Sequence, residues 1–153
     1  MTPSTLPGPA RNEVQAHRGA SAIAPENTIA AFRAAAEAGA KWVELDVALS
    51  ADGQLIVIHD DSVDRTSSGS GSLGALTQSE IAALDAGSWF GQDYQDERIP
   101  KLAETIAALG ELGLSANVEI KQHKHHKSLD QLVGAVQADI AKRSGGTEIM
   151  ISS

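Results

Sequence analysis

Cysteine is absent from the sequence, which removes disulfide staples and thiolate metal sites together. Aromatic residues make up only 3% of the chain, so no aromatic or amphipathic stretch stands out for docking on a membrane. No apolar run is long enough to span a bilayer. Basic residues are scarce beside acidic ones, 12 Lys and Arg against 20 Asp and Glu, and the net charge of −8 argues against nucleic acid or an anionic membrane as the main partner. An anionic small molecule would also be repelled at long range unless a local cation intervened. The first dozen residues, "MTPSTLPGPARN", lack the basic start and apolar core of a secretion signal. They are expected to form a flexible tail over 1–12, and together with the missing cysteine they favour a cytoplasmic location. What remains, residues 13–153, has the length and the hydrophobic content (42% for the chain) of one well-packed domain.

Strand-like and helix-like segments alternate along that domain. "EVQAHRG" (13–19) predicts a short strand, and "PENTIAAFRAAAEAGA" (25–40) a helix capped by Asn27 or Thr28 and ended by Gly39. "KWVELDVALS" (41–50) and, after the turn "ADG", "QLIVIHD" (54–60) predict two more strands. "LTQSEIAALDAG" (76–87) places Thr77 and Glu80 at capping-box spacing, and "KLAETIAALGELG" (101–113) is a third helix. "LSANVEIK" (114–121) is a fourth strand, "SLDQLVGAVQADIAKR" (128–143) a fourth helix, and "TEIMISS" (147–153) a last strand. Strands interleaved with helices imply an α/β fold with a parallel sheet. Five strands and four helices fit either an open sheet or the first half of an eight-stranded barrel.

Ionisable groups collect at the predicted strand ends: His17 and Arg18 on the first, Glu44 and Asp46 on the second, His59 and Asp60 on the third, and Asn117, Glu119 and Lys121 on the fourth. In parallel α/β folds that rim is where active sites are built. Residues two apart on a strand share a face, so Glu44 and Asp46 would repel one another inside an apolar strand unless something compensates. Glu44, Asp46 and Glu119 offer hard oxygen ligands suited to one divalent cation, Mg²⁺ or Ca²⁺. His17 and His59 can divide general acid and base work near neutral pH. Arg18 and Lys121 supply positive charge for an anionic oxygen. Together these types point to phosphoryl transfer. The cluster "HKHH" (123–126) reads instead as an exposed helix start outside the site; Glu26 and Asn27 read equally as residues that hold the loop after the first strand by hydrogen bonds and as a helix N-terminus, and Arg65, with the Gly/Ser loop, as closing part of the inserted region or as a solvated connection.

The segments "AHRG" (16–19), "PENT" (25–28), "ELDV" (44–47), "IHD" (58–60), "RT" (65–66), "LDAGSWF" (84–90), "IPKL" (99–102) and "NVEIK" (117–121) occur in an order and spacing that resembles the glycerophosphodiester phosphodiesterase family. The resemblance implies a TIM-type (β/α)₈ barrel, with this chain covering about its first half, strands 1–5, and a small insertion after strand 3. It implies metal-dependent hydrolysis of glycerophosphodiesters to glycerol 3-phosphate and an alcohol, through attack by the neighbouring glycerol hydroxyl and a cyclic phosphate. By position, Glu44, Asp46 and Glu119 match the family's metal ligands, His17 and His59 its catalytic pair, and Arg18 and Lys121 its phosphate contacts. Lys101 departs from the family pattern, which more often has a small hydroxyl residue there.

A complete barrel needs roughly 230 to 250 residues. The expectation is therefore a chain whose C-terminal half is missing, with a half-barrel that pairs with a second copy and a split protein with a separate C-terminal piece as the competing arrangements. The alternatives to the leading activity are a catalytically silent half-barrel that binds or oligomerises, and a phosphodiesterase acting on a lysophospholipid or sphingolipid.

Overall fold

The computed structural model describes residues 8–9, 13–126, 128–143 and 145–153, so most of the expected tail lies outside the described residues. Its centre is β2 (Trp42–Leu49), in which every residue is buried. Strand β1 (Gln15–His17) pairs parallel with one side of β2, and β4 (Ser115–Ile120) pairs parallel with the other, followed by β5 (Ile149–Ser152) parallel to β4. The parallel order β1-β2-β4-β5 follows the chain, as in an arc of a (β/α) barrel, and the arc is not closed.

One predicted strand behaves differently. Strand β3 (Leu55–Val57) pairs antiparallel with β2, Val47 opposite Val57 and Leu49 opposite Leu55. The connection explains it. Ser50 N–H bonds Gln54 C=O at 2.9 Å and closes a tight turn, whereas a parallel return needs a crossover of a dozen or more residues. Apolar alternation alone cannot tell the two directions apart. The insertion therefore begins with a hairpin laid on β2 and runs on to about residue 100.

Helices α1 (Ile29–Glu37), α3 (Leu102–Leu112) and α4 (Leu129–Ala141) cover one face of the arc. Val43, Leu45 and Val47 of β2 meet Phe32 and Ala35 of α1, Ile106 and Leu109 of α3, and Leu132 and Val136 of α4 in one core. The helix ends follow local chemistry. Thr28 Oγ1 accepts from Ala31 N and caps α1, which leaves Asn27 free for other use. The short α2 (Gln78–Ala82) carries the expected capping box between Thr77 and Glu80, but it stops well before residue 87. At α3 the lysine side chain of Lys101 cannot accept a hydrogen bond, and Glu104 Oε2 receives the Lys101 N–H instead.

A second core lies under the insertion: Ala48, Ile56, Ile58, Val63, Leu73, Ile81, Ala86 and Ile99. Its "LDAGSWF" turn is held by Asp85, whose carboxylate accepts from the N–H groups of Gly87 and Ser88 at 2.8 and 2.9 Å. Bonds from Ser88 lower the Asp85 carboxyl to about 2. A Cβ on Gly87 would lie 1.8 Å from Tyr94 O, so only glycine fits against that carbonyl.

Candidate active site

The side of β2 opposite the helices carries Glu44 and Asp46 inward, as strand alternation requires. Register supplies their neighbours. His17 of β1 stands opposite Glu44, and Glu119 of β4 stands opposite Asp46. Oxygen atoms of Glu44, Asp46 and Glu119 all lie within 4.8 Å of one another. Ligand oxygens 2.3–2.6 Å from a common Ca²⁺ would be at most roughly 5 Å apart, so the spacing fits one shared ion. Glu44 Oε1 and Asp46 Oδ1 are buried and make no hydrogen bond within the described residues, which leaves two hard donors available. Burial, then the Asp46 charge, then Glu119 push the Glu44 carboxyl up to about 7. Glu119 is held below the ordinary carboxylate range, chiefly by the Lys121 ammonium 2.7 Å away. The three carboxylates could therefore hold a divalent cation, and the cost of burying them in proximity is the reason they would.

The two expected cations flank this cluster. Lys121 Nζ lies 2.7 Å from Glu119 Oε1 and 3.4 Å from Asp46 Oδ1. Arg18 donates its backbone N–H to Glu44 Oε2 at 3.1 Å, and its Nε sits 3.5 Å from Asp46 Oδ2. Arg18 has φ +59, a left-handed conformation that costs a non-glycine residue energy and that concentrates at functional sites. Gly19 follows at φ +82, and a Cβ there would come 2.7 Å from the Ala31 backbone. The "AHRG" turn thus presses directly on α1.

His17 Nε2 stands 3.7 Å from Glu44 Oε2 on an otherwise exposed ring. His59 arrives by a route other than the one expected. It does not end a parallel strand; the antiparallel hairpin doubles back, Ile58 N–H still bonds Asp46 C=O, and His59 follows beside the carboxylates. Its Nδ1 lies 2.7 Å from Asp60 Oδ1. Asp60 is held well below the usual carboxylate range, first by the Arg65 guanidinium, which meets it at 2.8 and 3.0 Å. An ionised Asp60 accepts a hydrogen bond from the His59 Nδ1–H, which leaves Nε2 as the nitrogen available for proton transfer.

Four residues outside the expected set belong here. Asn27 Nδ2 donates to Asp46 Oδ2 at 3.0 Å, from a backbone at φ +57, and its Oδ1 accepts the Asp46 N–H at 3.4 Å. Arg65 also grips Glu26 at 2.8 and 3.0 Å, and Glu26 accepts from Arg18 at 3.1 Å. Burial pulls the Glu26 carboxyl up, but Arg65 and Arg18 outweigh it and the net shift is downward. A continuous chain, Arg18–Glu26–Arg65–Asp60–His59, therefore fixes both a cation and an imidazole. The sequence signals for this network were the adjacency of Asp60 to His59 and the loop positions of Glu26, Asn27 and Arg65; the ion pairs that join them are tertiary. The "HKHH" turn is half-buried rather than exposed and is not helical: His125 Nε2 meets Leu49 O at 2.9 Å, and His126 Nε2 meets Leu49 N at 3.2 Å.

Among the described residues no helix is long and apolar enough to cross a membrane. The model of the glycerophosphoryl diester phosphodiesterase family matches residues 17–152. A glycerophosphodiester phosphodiesterase of Caldanaerobacter subterraneus is 52% identical over 108 residues, covering 71% of this chain and 44% of that protein. A putative one of Bacillus subtilis is 48% identical over 119 residues, covering 78% of this chain and 49% of that protein. Among solved structures, a phosphodiesterase from Oleispira antarctica, in complex with its product sn-glycerol-3-phosphate, superposes with TM-score 0.85 at 38% identity, over 91% of this chain and 56% of its own. The chain spans about half the length of the curated relatives it matches. A family match over residues 17–152, most of the sequence, places this chain in the glycerophosphoryl diester phosphodiesterase family.

Proposed function

We propose that the chain carries the catalytic rim of a metal-dependent phosphodiesterase that hydrolyses glycerophosphodiesters to glycerol 3-phosphate and an alcohol. The observation that carries this reading is the convergence of Glu44, Asp46 and Glu119 within 4.8 Å, flanked by Arg18, Lys121, His17 and His59. The carboxylates are assigned to one Mg²⁺ or Ca²⁺, which when bound would neutralise their repulsion and polarise a phosphoryl oxygen. Arg18 and Lys121 are placed to hold the remaining anionic oxygens, each by exchanging part of its present carboxylate contact for phosphate. His59, aligned by Asp60 at Nδ1, moves a proton at Nε2, and His17 at the end of β1 supplies the second proton transfer. One imidazole removes the proton of the glycerol hydroxyl as its oxygen bonds to phosphorus. The other protonates the departing alkoxide as the phosphorus–oxygen bond breaks. Water then opens the cyclic phosphate with the two roles reversed.

The test is release of glycerol 3-phosphate from glycerophosphocholine by the natural full-length protein. Activity should vanish on full chelation and return with Mg²⁺ or Ca²⁺, the more effective ion identifying the cofactor. Alanine at Glu44, Asp46 or Glu119 should abolish it. Alanine at His17 or His59 should lower turnover while cation affinity stays near wild type. Wild-type activity that survives complete chelation would overturn the assignment.

A further inference from the structure

The loop that carries Arg18 runs to Asn27, and both of its ends are left-handed, at φ +59 and +57. The Asn27 N–H bonds Arg18 C=O at 3.0 Å and closes it. Within it, the Ser21 N–H bonds Gly19 C=O at 2.9 Å, and those of Ile23 and Ala24 bond Ala20 C=O at 3.0 and 3.1 Å. Two non-glycine residues in that conformation persist only where their surroundings impose it. One constraint is α1, packed against Gly19. The other is the insertion, which reaches the loop with two residues that the reaction described above leaves unused. Tyr94 Oη donates to the C=O of Ile23, an exposed residue in the middle of the loop, at 2.9 Å. Glu97 Oε2 accepts the Ala30 N–H at 3.2 Å, in the first turn of α1 just beyond Asn27 and the cap Thr28. That N–H has no partner inside the helix, and a carboxylate suits the positive end of the helix. Both residues are themselves fixed. Glu97 N–H bonds Tyr94 C=O at 3.0 Å, Glu97 C=O accepts the Ala86 N–H at 2.9 Å, and the Tyr94 ring meets Phe90 edge-on at 5.7 Å. With Arg65 on Glu26, the insertion ties the loop and its helix at three points.

We propose that Tyr94 and Glu97 are positioning residues for the substrate phosphate: they hold the 18–27 loop in the strained form that presents Arg18, and do not touch substrate themselves. This rests on the phosphodiesterase reading above and extends its phosphate site to two residues of the insertion. Without these ties the left-handed ends can relax, and Arg18 is in place for only a fraction of the time, which lowers apparent affinity by that fraction. The carboxylates stand on β2 and β4, held by the strand ladder, and do not share the dependence.

Three substitutions test it in the natural full-length protein: Tyr94→Phe, Glu97→Ala and Glu97→Gln. Phenylalanine keeps the ring and its packing and removes only the hydroxyl, and glutamine keeps an oxygen that can accept the Ala30 N–H. With no substrate present, hydrogen exchange at the Ser21, Ile23 and Ala24 amides should quicken roughly fivefold in Tyr94→Phe and roughly tenfold in Glu97→Ala. The affinity for glycerol 3-phosphate, read by calorimetry at saturating divalent cation, and kcat/KM for glycerophosphocholine should fall by about the same factors. Glutamine should keep all three within about twofold of wild type, and cation affinity should change less than about threefold in every variant. Wild-type product affinity in Tyr94→Phe and Glu97→Ala overturns the proposal, whatever the exchange rates. So does a fall in cation affinity as large as the fall in product affinity, or a glutamine variant as impaired as alanine. A wild-type protein without chelator-sensitive activity would overturn the phosphodiesterase reading and this role with it. Active wild type with unchanged variants removes this role alone.

Discussion

Asp46 is wholly buried, and its only side-chain hydrogen-bond donor among the described residues is Asn27 Nδ2. That one residue bears two separable loads. Its amide fixes the orientation of a carboxylate assigned to the metal, and its backbone sits at φ +57, where a Cβ costs energy. Two substitutions divide them. Asn27→Gly removes the hydrogen bonds and keeps the conformation, and should cost about 1–2 kcal/mol in urea unfolding. Asn27→Ala loses the same bonds and adds about 1 kcal/mol for the left-handed backbone. Both should weaken divalent-cation affinity by about 10–100-fold in calorimetry, the usual effect of losing a residue that orients a ligand. Cation affinity at the wild-type level in both variants would mean that the strand, with Arg18 and Lys121, orients Asp46 without Asn27. The same residue marks the limit of the sequence reading. Glu44, Asp46 and Glu119 were legible because i, i+2 spacing on a strand has a single geometric meaning. Asn27 was not, since a polar residue before a helix is equally a cap, and only the backbone assigns the cap to Thr28 instead.

The elements follow the same division between local and tertiary information. Parallel strands β1, β2 and β4, the Thr77 capping box and the helix faces were readable because burial pattern and end chemistry are local properties. The direction of β3 was not, and with it the path by which His59 reaches the site, because direction depends on the turn. Gly19 shows how tightly one turn ties a strand to a helix. With φ +82 and the Ala31 backbone 2.7 Å from a hypothetical Cβ, Gly19→Ala combines a left-handed penalty with overpacking. It should lower stability by about 2–4 kcal/mol in urea unfolding and displace Arg18, so that turnover falls more than cation affinity does. A change within about 0.5 kcal/mol would show that the turn relaxes freely. The "HKHH" turn supplies a pH dependence. Burial, then the charges of His125 and His123, lower His126 to about 4, beneath the ordinary 6.5. Between those values the unfolded ring binds a proton that the folded ring refuses, so this contribution to stability is full above pH 6.5 and is lost as pH falls towards 4. Glu26, Asp60 and Glu119 act at lower pH, and the raised Glu44 acts with the opposite sign in the same window. The informative quantity is therefore the difference between variant and wild type. His126→Gln, whose amide oxygen can still accept from Leu49 N–H, should reduce the stability lost between pH 6.5 and 5 in thermal melts. An unchanged loss would assign the acid sensitivity to other groups.

At the scale of the whole molecule, the chain builds its site across a seam between two cores. The carboxylates assigned to the cation stand on β2 and β4, backed by the large core under α1, α3 and α4. Asp60 and Arg65, which align His59, stand on the insertion and depend on the smaller core of Val63, Leu73, Ile81 and their neighbours. Strand β3 and the residue after it join the two: Leu55 and Val57 face the first core, and Ile56 and Ile58 the second. The two halves of the chemistry should therefore be separable by packing mutations far from the site. Ile81, fully buried, is the place to cut: Ile81→Ala should cost about 2–5 kcal/mol where the cavity opens. The damage should stay local, with amide hydrogen exchange faster across 61–98 and protection retained in 42–49 and 115–120. Cation affinity should then stay near wild type while turnover falls, because His59 loses its Asp60 alignment and the carboxylates keep theirs. Leu109→Ala in the larger core should do the reverse, lowering global stability and loosening the carboxylate cluster. Exchange that accelerates uniformly in the Ile81→Ala protein would mean that the two cores unfold as one unit. In that case the hairpin on β2 would transmit packing strain from the insertion into the strand that holds Glu44 and Asp46.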